Sequence, residues 1–151
     1  MKHSRRMLVS LLAVCSLAGC AAISGPDEAV PVSGEVAEQR ARWEAQRLDD
    51  YRFTLARTCF CLPEATQPAR VEVRGDRVVR VVSLQTGREL DRGLGLTVEE
   101  LFDRIAAAHR DGTYLDVGYH PHRGYPARAT LGTLANDAGV AYSLSDLEAV
   151  R

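Results

Sequence analysis

The chain has 151 residues, with 19 Lys and Arg against 20 Asp and Glu. That length is enough for one compact domain and too little for two. The charge signs are interspersed, with no basic patch or tail, which argues against nucleic-acid binding.

Lys2, Arg5 and Arg6 open the chain with positive charge, and Met7 to Leu17 is an uncharged apolar run. This is the layout of an export signal. The run is shorter than the roughly 20 apolar residues that a membrane-spanning helix needs. It closes in Leu17-Ala18-Gly19-Cys20, which resembles the bacterial lipobox. The resemblance implies removal of residues 1–19 as a signal peptide and attachment of a palmitate-type lipid anchor at Cys20. Two or more acyl chains hold a protein stably on a membrane, whereas one holds only marginally. The expected place is therefore the cell envelope, on the extracytoplasmic side of a membrane. Ala21, rather than Asp, after the cysteine points to the outer membrane if the host is Gram-negative. Without residues 1–19 there are 16 basic residues, all arginine, against 20 acids, a net charge of −4.

Residues 20–34 read as the lipidated cysteine and a tether. Ala21 to Gly34 is rich in Gly, Pro and Ser and has no periodicity. Residues 35–151 remain for a single domain. Glu35 to Leu48 favours helix, with Val36 and Trp43 on one side and Ala37, Ala41, Ala45 and Leu48 on another. Tyr51 to Thr58 predicts a strand that leads into Cys59-Phe60-Cys61. Arg70 to Arg74 alternates, Gly75-Asp76 makes a tight hairpin turn, and Arg77 to Leu84 returns as a β-branched strand. Thr97 and Glu100 form a capping box ahead of Val98, Leu101, Phe102, Ile105 and Ala108, which share one helical face. Gly112 ends that helix. Leu115, Val117 and Tyr119 alternate, Tyr125 to Leu131 predicts another strand, and Val140, Tyr142 and Leu144 alternate in the last. The expected fold is α+β, with two helices packed on one face of an antiparallel sheet and the order α-β-β-β-α-β-β-β.

Trp43, Tyr51-Arg52-Phe53, Cys59-Phe60-Cys61, Val71-x-Val73 with Gly75, Thr86-Gly87, Leu101-Phe102 and Gly124-Tyr125-Pro126 occur here in one order. That succession resembles the bacterial domain of unknown function numbered six-one-seven-four, often found on lipoproteins, over about residues 40 to 147. The resemblance implies a secreted or lipidated single domain and carries no reaction with it.

Cys59 and Cys61 are the thiols that remain once Cys20 is lipidated. Outside the cytoplasm an even pair usually oxidises. In a strand, residues two apart sit about 6.6 Å apart at Cα, near the upper limit for a disulfide, so bridging them requires the chain to tighten. Three readings stand: a structural disulfide, a redox-active pair, and a copper or zinc site. His120 and His122 are the residues that would complete a tetrahedral metal site with the cysteines. Read without that site, His120-Pro121-His122-Arg123-Gly124 has the composition of a solvated loop. His109 falls near the C-terminal carbonyls of the second helix. Trp43, Tyr119, Tyr125 and Tyr142 either line a groove or, as aromatics at strand spacing usually do, fill the core. No nucleophile elbow, zincin helix, phosphate loop or dinucleotide fingerprint is present. The expected function is a non-catalytic, membrane-anchored binding or interaction module with no cofactor, meeting an envelope protein or small ligand. The alternative is an envelope metal-binding protein that uses Cys59 and Cys61.

Overall fold

The computed structural model describes residues 32–136 and 138–150. The expected signal peptide, Cys20 and most of the tether lie outside the described residues. The order is α1 (Val32–Glu44), β1 (Asp50–Cys59), α2 (Pro63–Thr66), β2 (Ala69–Arg74), β3 (Arg77–Ser83), α3 (Val98–Arg110), β4 (Leu115–Tyr119), β5 (Pro126–Leu131) and β6 (Val140–Ala149), with 3₁₀ turns at Arg92–Leu94 and Leu134–Asn136. The fold is α+β. Its six strands form one antiparallel sheet in the order β3-β2-β1-β6-β5-β4. Between β1 and β6 the sheet divides into two three-stranded meanders, each preceded in the chain by a long helix.

Three helices, not two, occur among the described residues. The third, α2, is a single turn between β1 and β2 that buries nothing. Pro63 starts it, because its fixed φ suits a first helical position where no N–H is needed. The first long helix also begins earlier and ends earlier than the sequence pattern suggests. Ser33 and Gly34 are poor helix formers, but Val36 and Trp43 are buried in the core, and that packing overrides propensity. Past Glu44 the chain turns, and Arg47 takes a left-handed conformation at φ 51°.

One sheet face and the long helices enclose the core. Tyr51, Phe53 and Leu55 of β1, Val71 and Val73 of β2, and Tyr142 and Leu144 of β6 point into it at alternate positions. From α3 come Val98, Leu101, Phe102, Ile105 and Ala108, the predicted face. Thr97 accepts the Glu100 N–H at 3.0 Å, and Glu100 accepts the Thr97 N–H at 3.0 Å, closing the capping box. The β2–β3 hairpin turns through Gly75 (φ 52°) and Asp76 (φ 60°), the two positive φ values of a type I′ turn. The opposite sheet face is polar and carries ion pairs such as Arg52–Glu148 at 2.7 Å.

Helices α1 and α3 run antiparallel. Trp43 meets Glu99, and Arg40 meets Asp103 at 2.6 Å. Ser33 and Val36 share a cavity of about 260 Å³ with Ala106 and Arg110. The start of α1 is therefore level with the end of α3. No helix among the described residues is long and apolar enough to cross a membrane.

Gly124 sits where α1 crosses the loop between β4 and β5. Its φ is +75°, and an added Cβ would stand 2.6 Å from the Gln39 carbonyl oxygen of α1. Gly112 has a similar φ of +65° with open space around it. The left-handed conformation alone costs a side chain about 1–3 kcal/mol, and at Gly124 a backbone clash adds to that. In urea unfolding, Gly124→Ala should lose more stability than Gly112→Ala. Equal losses would mean that α1 does not press on this loop.

Candidate functional site

The Cys59–Cys61 segment sits where β1 outruns its neighbour. Strand β2 pairs with Asp50 to Leu55 only, while β6 follows β1 as far as Cys59. The last four residues of β1 thus have a ladder partner on one side. There the chain tightens: the Cα atoms of Cys59 and Cys61 are 5.3 Å apart and their sulfurs are bonded at 2.00 Å. The bridge turns the chain around Phe60, which is 83% exposed, and Leu62 beyond it is 72% exposed.

Beside this tip lies a cleft of about 410 Å³ between Glu64 and Gln67 on one side and Thr86, Arg88, Asp91 and Leu94 on the other. Its lining mixes charge, amide and aliphatic groups, so it is not the apolar groove that would mark an apolar-ligand site. Buried Ser83 ties two of the lining residues together: its hydroxyl donates to Gln67 Oε1 at 2.7 Å and accepts the N–H groups of Gln85 and Thr86.

The histidines lie elsewhere. Leu115, at the start of β4, is level with Cys59 through Leu131 and Val140. Strand β4 then runs away from that level, and His120 follows its far end. The structure therefore does not bring Cys59 and Cys61 together with His120 and His122. No cluster of three or more His, Cys, Asp or Glu able to hold a metal is found among the described residues. His120 instead organises its own turn. Its Nδ1 accepts the N–H groups of His122 at 3.3 Å and Arg123 at 3.2 Å, and its ring stacks on Tyr125 at 4.8 Å. A copper or zinc site at the tip would have only the two sulfurs, in reduced form, from the predicted set. His109 is exposed on the last turn of α3 and borders the cavity between the long helices.

Residues 35–149 match the family of unknown function DUF6174. The chain belongs to that family. No curated protein and no solved structure matches it. Several residues of the family-like succession have visible structural duties in this DUF6174 domain. Trp43, Tyr51, Phe53, Val71, Val73, Leu101, Phe102 and Tyr125 are core residues. Gly124 gives α1 its passage. Of the two aromatics outside the succession, Tyr142 is also in the core, while Tyr119 is partly buried and stacks on Phe102. Burial pushes the Tyr119 phenol up to about 12, and its hydroxyl has no hydrogen-bond partner. The succession reaches the surface at Arg52, Gly75, Thr86-Gly87 and the Cys-Phe-Cys segment, and of these only Phe60 is a large apolar side chain.

One buried arrangement has no counterpart in the sequence reading. Glu99, on the first turn of α3, accepts the Trp43 indole N–H at Oε1 (2.5 Å) and the Tyr51 hydroxyl at Oε2 (2.8 Å). Tyr51 in turn accepts the Val98 N–H at 2.9 Å. Burial, and then the Glu99 charge, raise the Tyr51 phenol far above its ordinary value, so it remains a donor. The clue in the sequence is slight: an acid beside a capping box, with a Trp and a Tyr whose polar tips need partners when buried. Removing the carboxylate leaves two buried donors unpaired, at about 1–3 kcal/mol each. Glu99→Ala should therefore lose several kcal/mol in denaturant unfolding, and Glu99→Gln less, since its amide oxygen can keep one donor. A loss below 1 kcal/mol for Glu99→Ala, about the net value of a single hydrogen bond, would refute the linking role.

On the polar sheet face, Arg74 and the Gly75 N–H hold the Asp50 carboxyl below the usual carboxylate range, and Arg52 does the same for Glu148. A depressed carboxylate adds stability above its unfolded pKa and loses it as pH falls through the folded pKa. Stability should therefore decline on acidification below about pH 4, the unfolded carboxylate range. Asp50→Asn with Glu148→Gln should flatten that decline in urea titrations at stepped pH. An unchanged slope would assign the decline to other carboxylates.

Proposed function

We propose that this DUF6174 protein is an envelope lipoprotein, anchored through Cys20, whose domain is a non-catalytic binding or interaction module. The observation that carries the reading is the tip: a disulfide between Cys59 and Cys61 holds Phe60 out in solvent at 83% exposure, with Leu62 beside it at 72%. Isolated exposed apolar side chains are common, but two next to each other on a covalently restrained turn form a surface suited to contact. The charged groups of the sheet's polar face largely pair with one another, as in Arg52–Glu148 and Arg74–Asp50. The half-buried Glu99 carboxylate is occupied by its two donors.

The test uses the full chain made in a bacterium. Cys20→Ser should abolish incorporation of labelled fatty acid and release the protein from the membrane fraction. The parent protein, purified without chelator, should have a mass two protons short of the dithiol and carry no metal. Retention of Cys20→Ser on membranes with no lipid label in the parent would overturn the anchor. Reduced Cys59 and Cys61 holding stoichiometric copper or zinc would replace the interaction reading with metal binding.

A further inference from the structure

The five exposed large apolar side chains among the described residues are Phe60, Leu62, Leu84, Tyr114 and Leu134. They are far apart in the chain, yet the sheet order gathers them at one end. Phe60 and Leu62 follow the last residue of β1. Tyr114 precedes Leu115, and Leu134 follows Leu131; these two strand ends are level with Cys59 through the ladder Cys59–Val140–Leu131–Leu115. The Tyr114 carbonyl accepts the Gly132 N–H at 2.8 Å, tying those two loops together. Leu84 leaves the same end of β3 at a lower rung, since Ser83 pairs through Ala69 with Leu55. The opposite end of the sheet presents polar turns, with Asp76, Arg77 and His122 exposed.

From β1 to β4 this row crosses three strand gaps, or about 14 Å. It is spread out as a line, which suits an extended apolar plane better than a compact ligand. Charges close in sequence to the row, Glu64, Arg110, Asp111 and Asp116, are of both signs, so attraction to an anionic surface is not what the row is built for.

An independent observation gives the direction of the membrane. Helix α1 starts at Val32, level with the end of α3, and α3 runs through Gly112 straight into Tyr114. The chain therefore enters the domain at the end that carries the row. Twelve residues separate Cys20 from Val32, a reach of at most about 43 Å when fully extended.

We infer that Phe60, Leu62, Tyr114 and Leu134 insert into the interfacial region of the bilayer that holds the anchor, so that the strands stand along the membrane normal. This rests on the Cys20 anchor proposed above. Tyr114 suits the position, with an apolar ring and a hydroxyl for the headgroup layer. The Gly75-Asp76 hairpin and the His120–Gly124 turn then lie farthest from the membrane.

The experiment places the full lipidated chain in phosphatidylcholine vesicles whose acyl chains carry bromine, a short-range quencher of tryptophan. Phe60→Trp and Leu134→Trp report from the row, Arg77→Trp reports from the opposite end, and buried Trp43 is the background measured in the parent. Flotation shows whether each protein is on the vesicles. Loss of the added emission at positions 60 and 134, with none at 77, supports the inference. Flotation without quenching at 60 and 134 overturns it and leaves the anchor standing. Quenching at 77 alone shows the reverse orientation and also overturns it. Failure of the parent chain to float overturns the anchor, and this inference with it.

Discussion

The carboxylate of Glu99 is where α1, β1 and α3 meet, and the rest of the helical layer is arranged around it. Trp43 and Tyr51 each bring a large apolar ring into the core and a polar tip that must not be left bare. One acceptor serves both, at 2.5 and 2.8 Å. The first turn of a helix is a favourable place for that negative charge, because the helix dipole and unpaired N–H groups point there. Once Trp43 is fixed against Glu99, the antiparallel course of α1 along α3 follows, with Arg40 reaching Asp103 a little under one turn from Trp43 and Val36 reaching the core beyond. The edge-on contacts of Trp43 with Tyr51 at 5.3 Å and Tyr125 at 6.0 Å extend the same junction to the loop at Gly124. The place where the chain enters the domain is thus a consequence of a half-buried hydrogen-bond pair about 16 Å away along α1, by the helical rise per residue.

The sheet explains why the apolar loops collect at one end. Two meanders of the same sense stand side by side, joined by β1 and β6, which are each ten residues long. At the Cys59 end β1 outruns β2 by four residues, so its connection to β2 projects past that side of the sheet, while β5 and β4 end level with Cys59. A projecting strand end with one ladder partner is prone to fray, and the Cys59–Cys61 bridge limits that locally. A bridge spanning one intervening residue removes little entropy from the unfolded chain. Its effect belongs to the shape of the tip more than to the stability of the domain.

Much of this was legible in the sequence wherever the signal is local. The capping box at Thr97 and Glu100, the apolar stripe of α3 and the Gly75-Asp76 turn are each set by residues within one or two turns of chain, and the structure has them. The pairing of Cys59 with Cys61 is likewise local. The start of α1 was not legible, because Ser33 and Gly34 join the helix only through packing against α3, far away in the chain. Glu99 was hidden for the same reason, since its two donors lie 56 and 48 residues away. The histidine pair left two readings open, a metal set and a solvated loop. Their spacing permits two ligands on one side, but His120 spends its Nδ1 on the turn that its own sequence makes. The gathering of Phe60, Leu62, Tyr114 and Leu134 depends on strand order, which periodicity does not encode.

A tether changes what such a row of side chains is worth. Burying one Phe or Leu fully is worth about 1.5–3 kcal/mol, and partial entry into a headgroup layer is worth less. A free domain would spend most of that on lost translational and rotational freedom. A domain already held within a few tens of ångströms of the surface has given up that freedom at the anchor, so each docking event is effectively intramolecular. Contacts too weak to recruit a soluble protein then suffice to orient an anchored one. The same reasoning fits the mixed charge signs close in sequence to the row among the described residues: were the proposed anchor to supply proximity, long-range electrostatic attraction would have little left to contribute. What the exposed apolar groups would determine is orientation, namely which turns of the domain face the compartment beyond the membrane.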